Sequence, residues 1–147
     1  MTSWTEITEA VGLTLSGDRE KGGAALADAW AGTADEDHAQ RCVLAHYLAD
    51  VQPVLADEVR WDEIALDEHR HLADDDLAPI EIPSARGLLP SLHLNLGDGY
   101  LRQGLIDDAR AHLARGQEHA SARADDGYGA MVRRGLSALE QRLAESR

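Results

Sequence analysis

A chain of 147 residues and 15.9 kDa fits one domain and leaves no room for a catalytic domain plus a regulatory one. At 44% apolar and 28% charged residues it shows ordinary globular usage, which sets aside disorder and fibrous structure. With 14 basic against 27 acidic residues the net charge is −13, and an acidic surface of that size repels phosphate backbones. No nucleic-acid partner is therefore expected, and basic or neutral partners fit better.

Aromatic residues are only 4% and Phe is absent, so the core must come from Leu, Ala, Val and Ile, a set suited to close helix packing. The opening Met1-Thr2-Ser3-Trp4-Thr5-Glu6 has no basic segment followed by an apolar one. No run approaches the roughly 18 apolar residues of a membrane span, so the expected compartment is the cytoplasm, with no membrane contact. The single cysteine, Cys42, lies in the apolar run Cys42-Val43-Leu44-Ala45, where a small core residue is expected rather than a reactive thiol. Charge is uneven: Met1 to Leu88 holds 6 basic and 19 acidic residues, whereas Leu89 to Arg147 holds 8 of each. That polarity can orient a partner or a second copy of the chain; the plainer alternative is a solvated acidic surface.

In chain order, Trp4, Ile7, Val11 and Leu15 share one helix face, and Ser16-Gly17-Asp18 reads as a stop and a new cap. Gly22, Leu26, Ala29 and Trp30 mark a second face, which completes a hairpin over about 3–32. Leu44, Tyr47, Leu48 and Val51, closed by Pro53, precede Val59, Trp61, Ile64, Ala65 and Leu66, a second hairpin over about 36–72. Residues 73–88 lack helical pattern and read as an inserted loop. The triplet Ile80-Glu81-Ile82 is too short for a sheet. Leu89, Leu92, Leu96 and Tyr100, a break at Gly104, then Ile106, Ala109, Leu113 and Ala120 make a third hairpin over about 89–121. Tyr128, Met131, Val132, Leu136, Leu139 and Leu143 form the most regular apolar face, a terminal capping helix over about 123–146. The expected fold class is all-α, with about seven helices and no strand.

In the third hairpin, Leu96-Gly97, Tyr100, a turn glycine at Gly104, Ala109, Leu113 and Gly116 follow one another at fixed spacing. This order resembles the tetratricopeptide repeat, whose pattern of 34 residues alternates large apolar and small positions. The first hairpin matches more weakly, through Ala10, Leu13, Gly17, Gly22, Leu26 and Ala29. The second keeps Leu44, Ala45 and Leu48 but has Pro53 in its turn and Asp57 at a small-residue position. The resemblance covers most of Met1 to Ser121, strongly from Leu92 to Gln117, and the insertion lies outside the pattern. The run from Leu89 to Leu96 also looks like small bacterial repeat proteins of this type. The resemblance implies a short right-handed superhelix of stacked hairpins, whose concave groove binds a peptide or protein partner without catalysis or cofactor.

In that register the first helix of each hairpin lines the groove. The partner-binding residues expected are Ser91, Leu94, Asn95, Asp98, Leu101 and Arg102 in the third hairpin and His46 and Asp50 in the second. Ala39 and Cys42 also fall in that register, as do Trp4, Ile7 and Val11 in the first hairpin. Asn95 offers an amide donor and acceptor and Arg102 a two-pronged donor for a peptide carboxylate or backbone. His46 and Asp50, one turn apart, can meet a basic group. Arg86, within the insertion, sits just ahead of the groove.

Competing readings are a small helical enzyme, a metal protein and a structural homo-oligomer. Arg41 and His46 have the spacing of a phosphate-activating pair in some all-helical ribonucleases, against which the net charge argues. Glu63, Asp67 and His71 fall at i, i+4 and i+8, with His69 nearby, a set that lacks a ligand from a second element. His112 and His119 share a face and are expected at the surface. No phosphate loop, Gly-x-Ser-x-Gly elbow or cysteine pair is present.

Overall fold

The computed structural model describes residues 2–120 and 127–146, which form seven α-helices and two short 3-10 turns, with no strand. The expectation of an all-α protein is met, and adjacent helices pack pairwise. The chain divides into two compact units, Met1–Pro83 and Ser84–Arg147.

The first unit contains α1 (Trp4–Leu15), α2 (Arg19–Ala31), α3 (His38–Asp50) and α4 (Leu55–His69). Ser3 caps α1 by accepting from the Glu6 amide, and Asp18 caps α2 by accepting from the Lys21 amide, so the two helices join through a tight turn. Gly17 takes the left-handed backbone of that turn, at φ 97°. The buried face of α1 centres on Ile7 and Ala10 rather than on the whole expected stripe, and Leu15 is 72% exposed. The cause is the close approach of α2. A Cβ at Gly22 would meet Thr14 Oγ1 and stand 2.8 Å from the Thr14 Cα and N, so the helices touch along the side that carries Ala10 and Thr14. Gly22→Ala should therefore destabilise the protein by about 1–3 kcal/mol, despite the better helix propensity of Ala, because backbone atoms must part. Chemical denaturation followed by tryptophan fluorescence checks this. A neutral or stabilising result would show that α1 and α2 separate freely.

Pro53 ends the second hairpin's first helix as expected, with α3 closing at Asp50. The α3 helix is the most enclosed of this unit, burying Cys42, Val43, Leu44, Ala45, Leu48 and Ala49. Trp30 of α2 and Trp61 of α4 meet edge to face at 4.9 Å, and the Arg41 guanidinium of α3 lies over Trp30 at 4.7 Å. The inserted segment is more than a linker. A 3-10 turn at Ala78–Ile80 packs on α1, and Leu77 is fully buried.

The second unit contains a 3-10 turn at Ala85–Leu88, α5 (Leu89–Arg102), α6 (Ile106–Ala120) and α7 (Gly127–Glu145). The expected hairpin over about 89–121 is present as far as Ala120, with residue 121 outside the described residues and Gly104 in its turn at φ 80°. Residues 123–126 of the expected capping helix lie outside the described residues. The face of α7 that is buried comprises Gly129, Val132, Leu136, Leu139 and Leu143, whereas Tyr128 and Met131, expected inside, are 37% and 53% exposed. Gly129 replaces them because the α7 face turned to its neighbours keeps one regular stripe. Small residues set the helix spacing: a Cβ at Gly97 would stand 2.7 Å from Leu139 Cδ2, and one at Gly116 2.8 Å from Leu136 Cδ2.

Candidate functional site

The residues expected to contact a partner are placed unequally. In the first unit, His46 of α3 is half-buried with its ring against Tyr47 at 5.2 Å, and burial pushes its imidazole down to about 4. It is neutral near pH 7 and supplies no charge to a basic ligand. Asp50 stands at the end of α3. Desolvation raises its carboxyl, with the Glu58 charge adding and Arg19 opposing. The Arg19 guanidinium donates to the Asp50 carbonyl at 2.8 Å.

In the second unit, α7 lies along the side of α5 that was expected to be open. Ser91 is 6% exposed, and its hydroxyl is hydrogen-bonded to that of Tyr128. Leu94 packs where a Cβ on Gly135 would fall, and Leu101 packs against the apolar core of α6 and α7. Ser91, Leu94 and Leu101 are thus inward-facing, because the apolar stripe of α7 needs cover and α5 supplies it. Asp98 joins the same seam, accepting from Arg102 Nε at 3.0 Å and from Arg142 Nη1 at 2.7 Å. These pairs are partly exposed and contribute little stability. Asn95 stays half-buried and Arg102 exposed at the remaining edge of α5.

Among the described residues of this unit, one open concavity lies between the α6 start and the α7 end. It is a trough of about 870 Å³ lined by Ile106, Leu113, Leu143 and Ala144, with Asp107, Arg110, Glu140 and Ser146 at its rim. Apolar floor and polar rim are the general composition of a binding surface.

Other constellations resolve differently from their sequence spacing. Arg41 Nε donates to Thr33 Oγ1 at 2.9 Å and its guanidinium pairs with Asp35 at 3.4 Å, so it serves the α2–α3 connection while His46 packs on Tyr47. Asp67 pairs with Arg70, and His71 stacks on His38 at 4.1 Å, whose Nδ1 meets Glu68 Oε2 at 2.6 Å. The i, i+4, i+8 set does not hold together because α4 ends at His69 and the chain turns before His71. Among the described residues, no group of three or more His, Cys, Asp or Glu is placed to hold a metal ion.

Cys42 is fully buried, and burial, with the Glu68 charge adding, pushes its thiol up to about 12. Native protein at pH 8 should resist iodoacetamide and take up one equivalent only in denaturant; mass spectrometry distinguishes the two. Rapid native alkylation would place the thiol at the surface.

One cluster is not visible in residue spacing along a single helix. His93 of α5 is 4% exposed and its Nδ1 lies 3.0 Å from His112 Nδ1 of α6, while the His119 ring is parallel to that of His93 at 6.0 Å. His112 and His119, expected at the surface, are half-buried, because both turn toward the ring that α5 inserts. Across the hairpin closed at Gly104, His93 lies against Gly116 of α6, which has no side chain there. Its absent Cβ would stand 3.4 Å from His93 Cβ, so the ring fits between His112 and His119. The turn glycine and the hairpin register were the signals that could have found it.

No family model, no curated protein and no solved structure matches this chain.

Proposed function

We propose that this chain is a non-catalytic helical-repeat module of the tetratricopeptide type, an adaptor or scaffold that binds a peptide or protein partner in the cytoplasm. The observation that supports this reading is the open α6–α7 trough, whose apolar floor can anchor side chains and whose charged rim can orient them. The cover that α7 lays over Ser91, Leu94 and Leu101 moves the docking surface away from the face of α5. The surface proposed comprises the trough, with Leu113 and Arg110, and the α5 edge bearing Asn95 and Arg102.

Affinity capture from cell extract, followed by calorimetry with the purified partner, tests the reading. Arg110→Glu and the double variant Asn95→Ala/Arg102→Ala should keep the wild-type circular dichroism and weaken binding about tenfold or more. Equal affinity of wild type and both folded variants would reject the surface, and no saturable partner would reject the adaptor role.

A further inference from the structure

We propose that the α6–α7 trough takes a second copy of this chain, seated on its own trough about a two-fold axis. The inference rests on the reading of the trough as a docking surface and names its occupant. Helices α6 and α7 run antiparallel here. Ile106 near the start of α6 lines the trough with Leu143 and Ser146 near the end of α7, while further along α6 Gln117 Nε2 donates to Glu140 Oε2 at 2.5 Å. Glu140 therefore stands level with Gln117. Arg110 lies two turns, or about 10 Å, back along α6 toward its start. Arg110 and Glu140 thus occupy diagonal corners of the trough, one on each helix. A two-fold axis through the floor exchanges diagonal corners, because a symmetric contact that sets residue i on residue j also sets j on i. Each Arg110 then meets the Glu140 of the other copy, and the pair forms twice.

The distribution of charge favours this occupant. Ser84 to Arg147 holds 9 basic and 8 acidic residues, against 5 and 19 in Met1 to Pro83. Two copies that meet through their second units bring nearly neutral surfaces together, whereas a contact between first units sets like charges against each other. The rim carries both signs, so Arg110 opposes a basic ligand, and Asp107 and Glu140 oppose an acidic one. A surface that presents the same two signs in reverse order satisfies all of it, and a second copy is such a surface. Leu105, 45% exposed, precedes Ile106 at the start of α6, so apolar surface is left at that end for the second copy to cover. Leu113 and Leu143 of the floor are already buried, so the area still to be covered is small. Association is therefore expected to be weak and reversible, with a Kd on the order of 10–100 μM.

Sedimentation equilibrium of the full chain, from ~1 μM to ~1 mM at ~0.15 M salt, tests the proposal. The mass should rise from 15.9 kDa toward twice that value. Arg110→Glu and Glu140→Arg each set like charges at both corners, and each should weaken association about tenfold or more while keeping the wild-type circular dichroism. An equal mixture of the two variants restores opposite charges at both corners and should recover the wild-type profile, which a trough built for a peptide would not do. A mass of 15.9 kDa at every concentration would overturn the proposal. So would a wild-type profile in either folded variant, or a mixture that stays monomeric. Should Glu140→Arg not fold, the wild-type profile and Arg110→Glu decide. The adaptor reading fails separately: a monomeric wild type whose captured partner is weakened by Arg110→Glu keeps that reading and removes the second copy, whereas a recovering mixture with no captured partner does the reverse.

Discussion

Replacing Leu139 by Ala should cost about 2–5 kcal/mol. Leu139 is 1% exposed in the stripe by which α7 meets α5, and its Cδ2 occupies the space beside Gly97. Gly97→Ala alone should also destabilise, because its Cβ would stand 2.7 Å from that methyl group. Together the two changes should be less harmful than their sum. The new Cβ enters the space that Leu139 vacates, and Ala gains about 1 kcal/mol of helix propensity over Gly. The double variant should therefore be more stable than Leu139→Ala, with a coupling of about 0.5–3 kcal/mol in a denaturation cycle. Additive costs would mean that α7 does not rest on α5 at this point.

Acidification should weaken the first unit through His46. Its imidazole is held down to about 4 by burial, against about 6.5 in an unfolded chain, so the unfolded state takes up the proton first. The stabilisation is fully present above pH ~6.5, declines as pH falls and is exhausted near 4, a loss on the order of 3 kcal/mol. Trp4, Trp30 and Trp61 all belong to this unit, so tryptophan fluorescence in a urea series at pH 7, 6 and 5 isolates it. Asp50 acts with the opposite sign: a carboxyl raised on folding adds stability as pH falls through its range. The window between pH ~6.5 and 5 is therefore the informative one. His46→Gln should remove the slope there, and an unchanged slope would assign it to other groups.

The legible part of this protein was local. Ser3, Gly17-Asp18, Pro53 and Gly104 punctuate the chain through backbone preferences that act over a few residues, and the helices start and stop where those residues stand. At the centre of α7 the buried face is the one that periodicity marks, since Val132, Leu136, Leu139 and Leu143 repeat over several turns. At helix ends the periodicity has no second turn to confirm it, and Leu15, Tyr128 and Met131 proved to be outside.

The candidate site depended on contacts that no local pattern encodes. Whether Ser91, Leu94 and Leu101 face a ligand or a neighbour depends on where α7 lies, and α7 is placed by packing its stripe against residues some forty positions earlier. His71 left the expected carboxylates because α4 ends two residues before it, and joined His38 from another helix. His93 reached His112 and His119 through the spacing permitted at Gly116. Helices, turns and acidic charge could be read from the residues alone, because apolar period, capping and ionisation are properties of a residue and its near neighbours. The covered helix faces and the meetings of titratable groups came from packing, because they depend on side-chain volumes across helices far apart in the chain.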